Sequence, residues 1–306
     1  MSRQEQVVTD APLRLGLLQV MLAAVLWGTV GIASKSLYTL ADTDPLSIGF
    51  FRLAFSAPVL LIAGRLATGD RLLRIPGQDL ITMAGIGAMM ALYQATYFAA
   101  IPRVGVAVTT LVTLCTAPVI VALLATSLAG ERLSRQTALA LPAALLGVVL
   151  LINVDSAQVN LLEAVTGVGL ALAAALAYAA LVLLSRRLAS RYHPLQPIAI
   201  GFTLGGVVLL GLATIQPGGL ALSYSPLGWL HLLYLGLVPT ALGYFLFLAG
   251  MRTTPATTAS ITTLAEPLTS ALLAWLLFGE RLGPSGGLGA LLLLGALLLL
   301  YTDRRL

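Results

Sequence analysis

One carboxylate lies deep inside an apolar stretch of this chain: Glu266, within ITTLAEPLTSALLAWLLFGER at residues 261–281, followed directly by Pro267. An acid at the centre of such a helix costs on the order of a few kcal/mol unless it meets water or a partner. Pro267 has no N–H and crowds the carbonyl of Thr263, so this acceptor is expected to be free for water or a ligand. The pair reads as a helix opened toward a polar cavity, where the acid could bind an ammonium group or exchange a proton. The bland alternative is a hydrogen bond that fixes a bend. Arg52, in FFRLAFSAP, is the matching cation. Its guanidinium suits bidentate binding of a carboxylate, or else pairs with backbone carbonyls or with Asp42 or Asp44.

Aromatic residues sort by depth. Tyr38, Trp229, Trp275 and Tyr301 lie near the ends of apolar runs and fit an interfacial belt. Trp27, Tyr93, Tyr97, Tyr178 and Tyr244 lie deeper, with Tyr93 and Tyr97 on one helical face at i, i+4. These five could stack a planar substrate group, or simply pack. Thr262 is placed with them as a substrate contact.

Other chemistry is sparse. GPSGG at 283–287 satisfies G-x-S-x-G, so an intramembrane serine hydrolase would pair Ser285 with His231. Proline and glycine before a helix are equally ordinary turn punctuation. Cys115 is the only cysteine and has no ligand spacing around it, which suggests a small packing residue. No metal, cofactor or nucleotide motif occurs, so no cofactor is expected.

The elements that position these residues follow from composition. The 306 residues are 58% hydrophobic and 9% charged, and mean hydropathy is +0.97. Soluble domains are about a quarter charged, so the surroundings of this chain must be lipid. The net charge of +5 is scattered between apolar runs, which suits membrane topology and not nucleic-acid binding. Polar punctuation delimits ten spans, at 14–37, 45–67, 78–101, 104–128, 136–153, 161–185, 195–214, 226–250, 256–278 and 285–301. An apolar run at 15–33 followed by many equals is a first span and not a signal peptide. With the N-terminus cytoplasmic, the outer loops receive only Lys35, Arg103 and Arg281 of the 17 Lys and Arg residues, and Arg52 lies within a span. The positive-inside rule then puts both termini in the cytoplasm.

The chain also repeats itself. Shifted by 149 residues, Thr113 meets Thr262, Pro118 meets Pro267, and Gly130-Glu131-Arg132 meets Gly279-Glu280-Arg281. Five spans per half force the halves to cross in opposite senses, the pattern of alternating-access transporters with a midplane site between repeats. Pro118 is expected to duplicate the kink of Pro267, while Ala117 replaces the acid. A shift of 151 instead sets Trp27 against Tyr178. The two Glu-Arg pairs are expected to end helices at the interface. Gly286, Gly287 and Gly289 allow close helix approach, either within the chain or to a second copy, and a monomer is the expectation.

Trp27-Gly28, Arg52, the two Gly-Glu-Arg blocks and Glu266-Pro267, set in ten spans with an offset repeat, resemble the drug/metabolite transporter superfamily. The likeness is to its ten-helix branch with duplicated EamA domains, covering roughly residues 16–302, here divided as 14–153 and 161–301. The pattern is most similar to the YddG-type exporters of aromatic amino acids. That resemblance implies an all-α inner-membrane protein that exports amino acids and related metabolites from the bacterial cytoplasm. Spans 1, 3, 4, 6, 8 and 9 would line its cavity. Arg52 and Lys35 are the only candidate cavity cations, which favours a substrate of low net charge over the polyanions carried by related ten-helix proteins.

Overall fold

The computed structural model describes residues 3–128, 133–151, 161–278 and 283–302. The Gly-Glu-Arg blocks expected to end spans, and the side chain of Lys35, lie outside the described residues. Helices α1 (Arg3–Gly28), α2 (Val30–Leu40), α3 (Pro45–Thr68), α4 (Gly77–Leu128), α5 (Arg135–Leu151) and α6 (Leu161–Ala189) form the first part of the chain. Then follow α7 (Leu195–Ile215), α8 (Pro226–Leu235), α9 (Gly243–Gly250), α10 (Ala256–Thr262), α11 (Ala265–Phe278) and α12 (Pro284–Tyr301). A 3-10 turn at Gly69–Leu72 follows α3, and a π-helical turn at Gly236–Leu242 joins α8 to α9. There is no strand among the described residues.

Nine helical stretches among these residues are long and apolar enough to cross a membrane. The fifth expected span is the 17-residue α5, about 26 Å long at 1.5 Å per residue.

Three expected spans are interrupted. The first breaks at Thr29, whose N–H and hydroxyl both return to the Leu26 carbonyl. The eighth carries the π turn. The ninth breaks between Thr262 and Ala265, directly before Glu266. Conversely, the third and fourth spans share one helical assignment of 52 residues, α4. Straight, it would reach about 78 Å. The Tyr97 hydroxyl nevertheless lies 2.6 Å from Thr110 Oγ1, whereas thirteen residues of straight helix would separate their backbones by about 20 Å. The helix therefore doubles back between Ile101 and Val108, and two membrane-length segments result, Gly77–Ile101 and Val108–Ser127.

Packing is most extensive between α4 and α6, followed by α5 with α12 and α7 with both α3 and α4. Glycine sets the α4–α7 approach: a Cβ on Gly87 would sit 2.1 Å from the Gly201 carbonyl oxygen. The polar ends gather at two opposite faces. At one, Arg14 lies 5.8 Å from the Tyr301 ring centroid, so the first and last spans end together. There Asp79 accepts from Arg191 Nη1 (2.9 Å) and the Tyr192 hydroxyl (2.6 Å), and Arg186 donates to the Met251 carbonyl. At the other face, Thr43 meets the Tyr224 hydroxyl at 2.5 Å and Ala221 N–H donates to Ser47 Oγ.

Candidate functional site

Trp27 lies in the last turn of α1, two residues before the break at Thr29. It is 6% exposed, and its indole N–H donates to the Pro239 carbonyl at 2.8 Å. Its ring lies 4.8 Å from Tyr244 and 5.3 Å from Phe247, and meets Tyr178 edge-on at 6.5 Å. Tyr93 extends the chain of rings, 5.7 Å from both Tyr178 and Tyr97. The five deep aromatics thus form one continuous wall, drawn from α1, α4, α6 and α9. Offset and edge-on contacts of this kind add about 0.5–1.5 kcal/mol each beyond burial.

Gly28 brings the acid to this wall. A Cβ there would lie 2.8 Å from the Glu266 carbonyl oxygen and 2.6 Å from Thr269 Cβ, so only glycine admits α11 so close to α1. Ser270 Oγ donates to the Gly28 carbonyl at 2.8 Å and locks the approach. Glu266 is half-buried and lies within electrostatic reach of Arg52 and of all four deep tyrosines. Among the described residues its carboxylate makes no hydrogen bond and no ion pair.

Arg52 projects from α3 and is 7% exposed. Its Nε donates to Thr240 Oγ1 at 3.1 Å, and no other hydrogen bond holds its guanidinium among the described residues. Asp44, one expected partner, instead caps α3 through Ser47, its Oδ1 accepting from the Ser47 N–H at 3.0 Å. Arg52 and Glu266 therefore lie within electrostatic reach of each other with opposite charge and without closing into an ion pair among the described residues.

One expectation is corrected. The Thr263 carbonyl is not free: with Pro267 unable to donate, it accepts from the Glu266 N–H at 3.0 Å in a tight turn. Thr262 is 1% exposed and donates within its own helix to the Thr258 carbonyl at 2.8 Å. Pro118 lies buried within α4, whose helical assignment runs on through it. His231 Nδ1 engages the Leu227 carbonyl of its own helix at 2.8 Å. Ser285 is exposed at the start of α12, a helix that packs on α5, α10 and α11, while α8 packs on α2 and α3. No described contact joins the two as nucleophile and base.

Pro239 and Thr240 are site residues that sequence reasoning missed. Their signal was a proline and a threonine at mid-span between two glycines, in GLVPTALG.

The sequence profile of the EamA-like transporter family matches the chain twice, over residues 14–153 and 165–302. This chain belongs to the EamA-like transporter family. Its relatives include the uncharacterized transporter YwfM of Bacillus subtilis, 33% identical over 94% of both chains. An uncharacterized transporter of Archaeoglobus fulgidus is 31% identical over 95% of this chain and 98% of its own length. YicL of Salmonella typhimurium, described as an uncharacterized inner membrane transporter, is 29% identical over 95% and 97%. A protein of known crystal structure shares the fold, with TM-score 0.78 at 24% identity, over 93% of this chain and 95% of that one. The EamA chain is a membrane transporter, and its apolar helices make it a multi-pass protein of the bacterial inner membrane.

Proposed function

We propose that this transporter exports amino acids, aromatic and other apolar ones foremost, from the cytoplasm by alternating access. One observation carries the reading: a guanidinium held only through its Nε and a carboxylate with no described hydrogen bond lie within electrostatic reach of each other beside a wall of five aromatic rings. A zwitterion fits that pattern. Arg52 takes the substrate carboxylate as a fork, Glu266 takes the ammonium, and the rings hold the apolar side chain. A dianionic phosphate ester would leave Glu266 facing negative charge, and an alkane-like drug would leave both charges buried without partners.

In this reading the five-span halves 14–153 and 161–301 cross the bilayer in opposite senses and rock about the midplane site. The Arg14–Tyr301 face, which gathers the basic loops, is cytoplasmic. On that face a Cβ on Gly16 would lie 2.8 Å from the Gly250 carbonyl oxygen, so α1 and the end of α9 meet backbone to backbone. Toward the other face, Tyr93, Tyr97 and Thr110 remain half-buried, and Tyr38, Leu40, Ala41, Asp42 and Thr43 line an open surface depression. The direction of transport rests on the likeness to exporters.

The test is uptake and counterflow in proteoliposomes with a panel of labelled amino acids, with and without a pH gradient. Phenylalanine, tyrosine and leucine should exchange, and Trp27→Ala should weaken the aromatic ones preferentially. Equal loss for all substrates would assign Trp27 to packing, and no exchange of any amino acid would end the proposal.

A further inference from the structure

We infer that the π-helical turn Gly236–Leu242 is the selectivity element of the site, with Thr240 the positioning residue for Arg52. This rests on the amino-acid reading above and adds what makes Arg52 competent. A π turn is rare in helices and concentrates at functional positions. Here its cause is local. Pro239 has no N–H to return to the Leu235 carbonyl, and the Thr240 hydroxyl fills that place, donating to Leu235 O at 2.7 Å. With its single proton committed, the hydroxyl oxygen can only accept from Arg52 Nε, which it does at 3.1 Å. Holding Nε leaves the Nη1–Nη2 edge as the fork presented to a ligand carboxylate.

The same turn orients the aromatic wall. The Pro239 carbonyl accepts the Trp27 indole N–H at 2.8 Å. Glycines bracket the segment, one against the α3 backbone at Arg52 and one against the Trp27 ring. A Cβ on Gly236 would lie 2.7 Å from Phe55 Cβ and 3.3 Å from the Arg52 carbonyl oxygen. A Cβ on Gly243 would lie 2.8 Å from Trp27 Nε1. The turn belongs to the second half of the chain, whereas Trp27 and Arg52 belong to the first. One short segment thus fixes both the carboxylate fork and the ring platform from across the molecule.

The experiment uses Trp27 as reporter in a Trp229→Phe/Trp275→Phe background, since the chain has 3 tryptophans. Binding of phenylalanine and of phenethylamine, which lacks the carboxylate, is titrated by fluorescence in the parent, in Thr240→Val and in Thr240→Ser. Thr240→Val keeps the side-chain shape but removes the acceptor. Phenylalanine should bind about tenfold more weakly, the size of one lost charge-assisted hydrogen bond. Phenethylamine should change less than about threefold on the same reasoning, and Thr240→Ser should restore phenylalanine binding. Equal weakening of both ligands, no weakening, or failure of the serine variant to rescue would overturn the inference while leaving the amino-acid reading intact. A parent that responds to neither ligand would overturn both. Should Thr240→Val not fold, the ratio of the two affinities in Thr240→Ser against Thr240→Ala decides on the same criteria.

Discussion

Glu266→Gln separates binding from folding. The side chain is half-buried and makes no described hydrogen bond or ion pair within the protein, so an amide of the same shape removes no native contact. Only the through-space attraction of Arg52 is removed, so stability should fall by no more than about 1 kcal/mol. Substrate binding is different. A charge-assisted hydrogen bond to an ammonium is worth about 1.5–3 kcal/mol, which at about 1.4 kcal/mol per decade is a factor of roughly 10–150. The loss should raise the KM for phenylalanine in counterflow by that factor. Phenylpropionate, which lacks the amino group, provides the control: as a competitor it should be unharmed or improved, because a neutral amide no longer opposes its negative charge. The thermal midpoint of the purified protein is measured alongside. An unchanged KM for phenylalanine would refute the zwitterion geometry, and so would equal loss of phenylalanine and phenylpropionate.

Gly28→Leu should cost several kcal/mol and abolish a folded, transport-competent protein, because its Cβ would meet Thr269 and the Glu266 backbone at 2.6 and 2.8 Å; size-exclusion of detergent extracts reads this out. Asp79→Ala should lower stability by roughly 1–3 kcal/mol, since it removes the acceptor for Arg191 and Tyr192, while KM for phenylalanine stays constant. His193 lies in the loop before α7, and burial together with the Arg252 charge lowers its pKa from the ordinary 6.5. The native state therefore favours the neutral ring: its contribution is present above 6.5 and shrinks as pH falls through that value. His193→Gln should flatten this acid-side decline in a thermal-shift series from pH 8 to about 5.

Span number and the convergence of deep aromatics were legible because both follow from the mismatch between side chain and lipid. A Trp or Tyr far from an interface has to find partners, and Trp27, Tyr93, Tyr97, Tyr178 and Tyr244 found one another. Glu266 stood out for the same reason. Backbone detail was less visible. The Thr263 carbonyl looked orphaned because an i, i+4 ladder was assumed, and the chain instead closed a tighter turn onto it. Thr240 could not be picked out, since a threonine inside an apolar span usually donates to its own helix, as Thr262 does. Only the π turn, a cooperative result of Pro239 and the glycines on either side, makes its oxygen an acceptor for Arg52. The reversal between the third and fourth spans was legible, since the expected spans 78–101 and 104–128 match the segments Gly77–Ile101 and Val108–Ser127; that the helical backbone would run on through the turn was not.

Water-borne access to the site can be measured at one atom. Thr110 adjoins Tyr97 and lines the side of the site away from the Arg14–Tyr301 face without contacting the proposed charge pair. A cysteine at 110, in a Cys115→Ser background, should react with a membrane-impermeant thiol reagent added from outside the cell, and saturating phenylalanine should slow that reaction. No reaction at all, or a rate indifferent to phenylalanine, would contradict a substrate site between the two halves.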